Sequence, residues 1–285
     1  MHIYQQIQVT LMLENDAKKP ERDHTLWFTF PLASLIAAVS LAGLLRPELY
    51  SKETADWVAQ ATAQDAVDLF LILPVFVLSG LYLFRGERLA EPIWGGALVY
   101  LIYTFIIYCF AVHFNALFLA YVAILSISAY GLIYFMRRQV RRPGIQVLSS
   151  GRPSTVIGIY FQLVAVLFFL LWLADIIPAI LQSTTPPSLV TAGLVTNPVH
   201  VLDLAIFLPG VFIVGLLLRR QHPLGLLLAP VLLVFFVLMD ITIAVIFVAQ
   251  QSIGAPVNIP GMVLMSLMAL LSLTGLAWFL KSTEM

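Results

Sequence analysis

The sequence reads as an all-α membrane protein: eight transmembrane helices forming two parallel four-helix repeats, with both termini cytoplasmic. Three observations predict this: an apolar composition, a one-sided distribution of basic residues, and an internal match between the halves. Of 285 residues, 61% are hydrophobic and 11% charged, with a mean hydropathy of +0.97. A soluble domain is about 45–50% apolar and about 25% charged. The composition excludes a soluble globular domain, a disordered chain and a nucleic-acid binder. Lysine plus arginine equals aspartate plus glutamate, at 15 each, so net charge points to no partner. The single cysteine, Cys109, excludes an internal disulfide and a cysteine metal cluster.

A helix spanning the bilayer core needs about 20 mostly apolar residues. Such runs fall at 27–46, 66–84, 93–112, 116–136, 156–181, 199–218, 224–249 and 258–280. They are continuous rather than alternating, which is a helical and not a barrel signature. The segment before the first run is too long and too mixed in charge for a signal-peptide n-region, so that run is read as a true span.

The basic residues set the orientation. One side receives Lys18, Lys19, Arg22, Arg85, Arg88, Arg137, Arg138, Arg141, Arg142, Arg152, Arg219, Arg220 and Lys281. The other receives Arg46 and Lys52. Positive residues accumulate on the cytoplasmic side, so both termini are read as cytoplasmic.

Asp68–Arg85 aligns with Asp203–Arg220 without a gap. Asp68, Pro74, Gly80 and Arg85 match Asp203, Pro209, Gly215 and Arg220. Ser128, Gly131, Leu132 and Phe135 match Ser272, Gly275, Leu276 and Phe279, and Leu41-Ala42 matches Leu173-Ala174. An even number of spans per unit makes the repeats parallel rather than inverted. The organisation expected is a cytoplasmic segment 1–25, repeat 1 at 26–136, a basic linker 137–154, repeat 2 at 155–281 and a tail 282–285. Pro74 and Pro209 should kink their helices, and Gly80 and Gly215 should permit close approach.

Polar residues concentrate toward the outer face. At the helical rise, Asp203 lies ~24 Å from Arg219 and Asp68 ~25 Å from Arg85. Asp175, Asp240, His113 and Asn115 fall at a similar height. Asn197, His200 and Asp203 form one stripe, and Gln64, Asp65 and Asp68 form its counterpart. Asp68 and Asp203 can be read as helix-start carboxylates favoured by the dipole, with Asn197-Pro198 as a cap. Asp175 and Asp240 lie toward helix C-termini, where the dipole disfavours an anion, so each needs a partner. His200 is the partner expected for Asp175.

These residues fit three chemistries. The leading one is small-molecule or ion binding, or transport, in an outward-facing polar pocket at the repeat interface, using Asp175, His200, Asp203, Asp68, Asp240, His113 and Asn115. The alternatives are an outer-leaflet enzyme, acid–base or metal-assisted, and a non-catalytic subunit of a membrane complex. No HxxxH, HExxH or CxxC spacing supports a metal, and no GxSxG elbow supports a serine nucleophile. No cofactor is identified. The partners expected are the bilayer and a small polar or amphipathic ligand at the outer face. The aromatic residues Trp94, Tyr100, Tyr103, Tyr108, Phe110, Phe114, Phe118 and Tyr121 read as interface belts and packing, with hydroxyls bonded inside the bundle.

The stretches Gln64-Asp65-Ala66-Val67-Asp68-Leu69 with Pro74 and Arg85-Gly86, Phe114-Asn115-Ala116-Leu117-Phe118-Leu119-Ala120-Tyr121, Trp172-Leu173-Ala174-Asp175, Asp203-Leu204 through Pro209 to Arg219-Arg220, and Leu228-Ala229-Pro230-Val231-Leu232-Leu233 carry a resemblance. Together they resemble an uncharacterised family of bacterial multi-pass integral membrane proteins. The resemblance implies a bacterial inner membrane and no particular activity.

Overall fold

The computed structural model describes residues 24–141, 151–254 and 258–283. Most of the N-terminal segment, the middle of the basic linker and the last residues of the tail lie outside the described residues. Among the described residues the fold is all-helical. Eight helices are long and apolar enough to cross a bilayer: α1 Thr25–Leu45, α2 Ala55–Phe84, α3 Ala90–Ala111, α4 Phe118–Arg141, α5 Arg152–Leu181, α6 Pro198–Arg219, α7 Pro223–Gln251 and α8 Ile259–Ser282. Each overlaps one expected run. Their flanks expose Trp27, Phe70, Phe110 and Ile206, as a lipid-facing surface requires. This is the architecture of a multi-pass membrane protein.

The largest difference from expectation is α2, which begins about three turns before its apolar run. Thr54 caps it, its hydroxyl accepting from Trp57 N at 3.2 Å. The first stretch, Ala55–Val67, is rich in Ala, Gln and Asp, so it forms a good helix without being a hydrophobic run. Asp68 is therefore deep inside a helix, not at its start, and the helix-start reading of this residue is corrected. At α6 the expected cap is present: Asn197 Oδ1 accepts from Val199 N at 2.9 Å, with Pro198 opening the helix.

Chain direction creates two ends. Arg85, Arg88, Arg137, Arg138, Arg141, Arg152, Arg219, Arg220 and Lys281 gather at one, here the Arg-rich end. The α1–α2, α3–α4, α5–α6 and α7–α8 connections form the far end. Helix α1 packs on α2 and α4, and α3 packs on α2 and α4. Helix α5 packs on α6 and α8, and α7 packs on α6 and α8. In the centre α3 lies on α7, while α2 reaches α7 and the start of α6 reaches α3.

The two prolines do more than kink their helices. Asp68–Ile72 forms a π-helical turn, with Leu73 N donating to Asp68 O, and the α-helix resumes with Pro74 in its first turn. Asp203–Phe207 does the same before Pro209, with Leu208 N donating to Asp203 O. Proline has no N–H to donate and its ring crowds the carbonyl one turn back. A wide turn just before it absorbs both problems.

Glycines set the closest crossings. A Cβ on Gly80 would lie 2.5 Å from Thr29 Oγ1 of α1. A Cβ on Gly215 would lie 2.7 Å from Gly158 O of α5, and one on Gly158 would lie 2.7 Å from Gly215 O. On α4 the buried stripe is Tyr121, Ile124, Ser128 and Phe135; on α8 it is Met265, Met268, Ser272 and Phe279.

At the Gly158–Gly215 crossing each added Cβ would meet the other glycine's carbonyl oxygen at 2.7 Å, a backbone contact that cannot move aside as a side chain can. Gly158→Val should lower thermal stability by about 1–3 kcal/mol through overpacking. Gly210 has nothing within 4 Å of an added Cβ. Gly210→Ala should leave stability unchanged or raise it by up to about 1 kcal/mol through helix propensity. Thermal unfolding of both variants in the same detergent checks the pair.

Candidate functional site

Four buried carboxyls, Asp65, Asp68, Asp203 and Asp240, and a cavity dominate the far half of the bundle. Helix α3 carries Tyr100, Tyr103 and Tyr108, and each phenol donates to a different aspartate. Tyr108 OH reaches Asp65 Oδ1 at 2.9 Å, and Tyr50 OH reaches Asp65 Oδ2 at 2.7 Å. Tyr50 sits in the short turn after α1, where burial and the Asp65 carboxyl push its hydroxyl pKa up, keeping it a donor. Tyr100 OH donates to Asp68 Oδ1 at 2.9 Å and lies 3.0 Å from Thr242 Oγ1 of α7. Gln64 Nε2 donates to the same Asp68 oxygen at 2.9 Å. Tyr103 OH donates to Asp203 Oδ1 at 3.0 Å, and Trp172 Nε1 donates to Asp203 Oδ2 at 2.8 Å. Helix α3 thus ties acids of α2 and α6 to one scaffold. A charge or dipole left unsatisfied there would be expensive, which is why phenols fill these positions.

Gly43 of α1 lets the Asp65 cluster close. Any side chain there would overlap the Asp65 carboxylate, and its Cβ would lie 2.9 Å from Tyr50 OH. Asp65 is fully buried, and Tyr50 and Tyr121 are 1% exposed, so this corner holds no space for a ligand.

The space lies on the other side. A cavity of about 640 Å³ is bounded by α2, α3, α5, α6, α7 and α8. Leu171, Phe168, Phe207, Phe236, Met239, Ile243, Leu264, Met265 and Met268 give it a mainly apolar wall. Asp203 and Asp240 are set into that wall, and Asp56, Gln60, Gln64, Ser188, Asn197 and Gln250 bring polar groups nearer the far end. Among the described residues no lysine or arginine lines it. Across the far end, Asp56 accepts from Gln60 Nε2 at 2.7 Å and from Gln250 Nε2 at 2.6 Å. The short helix Pro187–Ala192 lies beside it, with Ala192 packed on Trp57 and Ala111.

Asp240 differs from the other acids. It is 3% exposed, it lines the cavity, and its Oδ2 has no hydrogen-bond partner among the described residues. Asp68 Oδ2 also lacks one, but Asp68 does not line the cavity, and its other oxygen accepts two bonds.

The remaining site candidates are dispersed. His113 is exposed and pairs with Glu53, its ring Nδ1 2.9 Å from Oε2 and its backbone N donating to Oε1 at 2.7 Å. Asn115 caps the turn into α4, its Oδ1 accepting from Leu117 N at 2.9 Å. Neither lines the cavity. Asp175 and His200 form no direct hydrogen bond among the described residues. Asp175 Oδ2 accepts from Ser188 Oγ at 2.6 Å, and His200 lies against the Trp172 ring at 4.6 Å between centroids. The reason is local: Ser188, delivered by the short helix, reaches the carboxylate first, and Trp172 covers the imidazole while donating to Asp203. Among the described residues no three of His, Cys, Asp and Glu gather as a metal-binding group. No protein-family model, curated protein or solved structure matches the chain.

Asp65 and Asp240 should respond oppositely to neutralisation. Asp65→Asn would set an amide N–H₂ against a phenol that donates, and should cost about 1–3 kcal/mol of stability. Asp240→Asn removes an acid whose Oδ2 has no partner and should leave thermal stability equal or higher. Unfolding of both variants without added ligand gives the comparison.

Proposed function

We propose that this protein binds or transports a small molecule that carries a cationic or hydrogen-bond-donating head on an apolar body. Asp203 and Asp240 receive the head, and the Leu, Phe and Met wall receives the body. The observation that carries this reading is Asp240: a buried carboxyl with an unpaired oxygen, set in the wall of a cavity without a basic residue. A carboxyl in a span without a partner of its own is a functional candidate. Asp175, His200, Asp68, His113 and Asn115 are assigned to supporting roles, since none of them lines the cavity.

In this reading the chain sits in a bacterial inner membrane with the Arg-rich end cytoplasmic, as the basic asymmetry favours. The cavity then occupies the outer half. The two four-helix units are a parallel duplication. Several local features support that correspondence: π-turns at Asp68 and Asp203, Gly80 of α2 packed against α1 as Gly215 of α6 is against α5, and matching buried stripes on α4 and α8. The neighbour pattern within α1–α4 also repeats in α5–α8.

A panel of small organic cations and anions tests the binding function. A ligand that binds only the folded state at 100-fold its Kd stabilises it by about 2.7 kcal/mol. Cations should raise the melting temperature of the native protein, and anions should not. Asp203→Asn combined with Asp240→Asn should abolish the cation effect. Equal responses to both signs of charge, or an undiminished cation effect in the double variant, would reject the reading. Orientation is checked by reporter fusions at Met285 and within 183–197. The C-terminal fusion should report a cytoplasmic position, and the loop fusion an external one.

A further inference from the structure

The helices around the cavity form a ring. Contacts join α5 to α6, α6 to α3, α3 to α2, α2 to α7, α7 to α8 and α8 to α5. The α8–α5 contact includes Ile157 beside Gly275, toward the Arg-rich end. Toward the far end, the last hydrogen bonds between these two helices among the described residues come from Tyr160 OH, at 2.8 Å to Ser272 Oγ and 3.4 Å to Met268 O. Beyond that level both helices line the cavity, α5 through Phe168 and Leu171 and α8 through Leu264 and Met265. Leu171 is a cavity residue and yet 43% exposed.

The corresponding seam between α1 and α4 is shut. There Ile36, Val39, Tyr121 and Ile124 are each at most 1% exposed. The Asp65 phenols fill what would be the matching space. At the far end of the cavity, the Asp56–Gln250 bond joins α2 to α7, and Ser188 and Thr191 of the short helix Pro187–Ala192 line the wall.

We infer that the slot between α5 and α8 is a lateral portal, through which a single-chain lipophilic cation passes from the bilayer to Asp203 and Asp240. This rests on the binding function proposed above and adds the ligand's source and route. The chemistry follows from the wall. A long apolar lining suits an alkyl chain, and two carboxyls with no lysine or arginine beside them suit a positive head. A neutral or anionic head would leave Asp240 uncompensated. A lipid-soluble molecule is already concentrated beside the exposed face of Leu171.

The test uses the full chain in phosphatidylcholine nanodiscs. Trp27 and Trp278, which are exposed on the flanks, are changed to Phe, leaving Trp57 and Trp172 on the cavity and Trp94 in the core. The probe is 12-bromododecyltrimethylammonium, whose bromine quenches indole on contact. Quenching should saturate for this cation, whereas 12-bromododecanol and 12-bromododecyl sulfate should give only a shallow, non-saturating decline. Asp240→Asn should raise the half-saturating concentration about tenfold, the loss of one charge contact. Asp240→Glu should restore most of the affinity if charge is what matters.

The route has its own readout. With Cys109 replaced by Ser, a nitroxide is placed at Leu171→Cys and separately at Leu264→Cys. Collisions with oxygen should exceed those with a water-soluble nickel chelate at both sites, and the bound cation should lower them. If nickel dominates while Asp240→Asn still weakens the probe, the portal is wrong and the binding function stands. If neither Asp240→Asn nor the head charge alters quenching in a protein that remains folded, both fail. Should Asp240→Asn not fold, the comparison of cationic, neutral and anionic probes on the unaltered aspartate decides.

Discussion

Carboxyls inside this bundle must be satisfied without cations, and α3 does it with phenols. The described basic side chains sit at helix ends and in loops, out of reach of a mid-span acid. Tyr100, Tyr103 and Tyr108 therefore donate to Asp68, Asp203 and Asp65 in turn. Because Asp65 and Asp68 belong to α2 and Asp203 to α6, the same three hydroxyls fix both helices against the centre. The consequences spread outward. Gly43 must be glycine so that Asp65 can approach α1, and Trp172 must turn toward Asp203 rather than pack in lipid. Tyr103 and Trp172 together leave Asp203 on the cavity wall with both oxygens already bonded, so the carboxyl is held at a fixed angle.

Much of this was legible in the sequence, and the remainder was hidden for identifiable reasons. All eight spans were visible, because a 20-residue apolar run is the strongest signal a chain can carry. The first half of α2 was not, since Ala, Gln and Asp make a helix without hydrophobicity. That omission moved Asp68 from mid-helix to a helix start and made it look like a dipole effect. The tyrosines were visible as aromatics expected to bond inside the bundle, but nothing in their spacing told which acid each would meet. That depends on how α3 lies between α2 and α6, a tertiary fact. Asp175 and His200 are paired in the sequence by helix dipole and by height, and neither signal reveals that Ser188, brought by a short helix, bonds the Asp175 carboxylate. Asp240 was the informative case: an acid toward the wrong end of a helix dipole, with no partner in its own turn, which the fold also leaves with an unpaired oxygen.

In the proposed duplication the halves diverge most where function is assigned. The α1–α2 and α5–α6 crossings keep their glycines and π-turns, so the scaffold is common to both. Between α1 and α4 the far half is packed with Tyr50, Tyr121 and the Asp65 cluster. In register, Tyr121 corresponds to Met265 and Gly43 to Asp175, while Asp65 corresponds to His200. Each exchange loosens the second unit. A phenol that filled space and bonded an acid becomes a flexible thioether on a cavity wall. A glycine that admitted a carboxylate becomes a carboxylate turned toward the short helix.

The loosening has an energetic logic. A closed seam like that of the first unit gives close packing, so it supports stability. The second unit gives up part of that packing, exposing Leu171 and leaving Asp240 on a cavity wall, within a structure whose other half remains closed. Stability surrendered in one place and kept in the matching place is the pattern of a binding site built on a rigid frame. Under the proposed duplication it also explains why the candidate site is asymmetric: the first unit supplies the Tyr103 hydroxyl that holds Asp203, and the second supplies Asp203, Asp240 and the opening between α5 and α8.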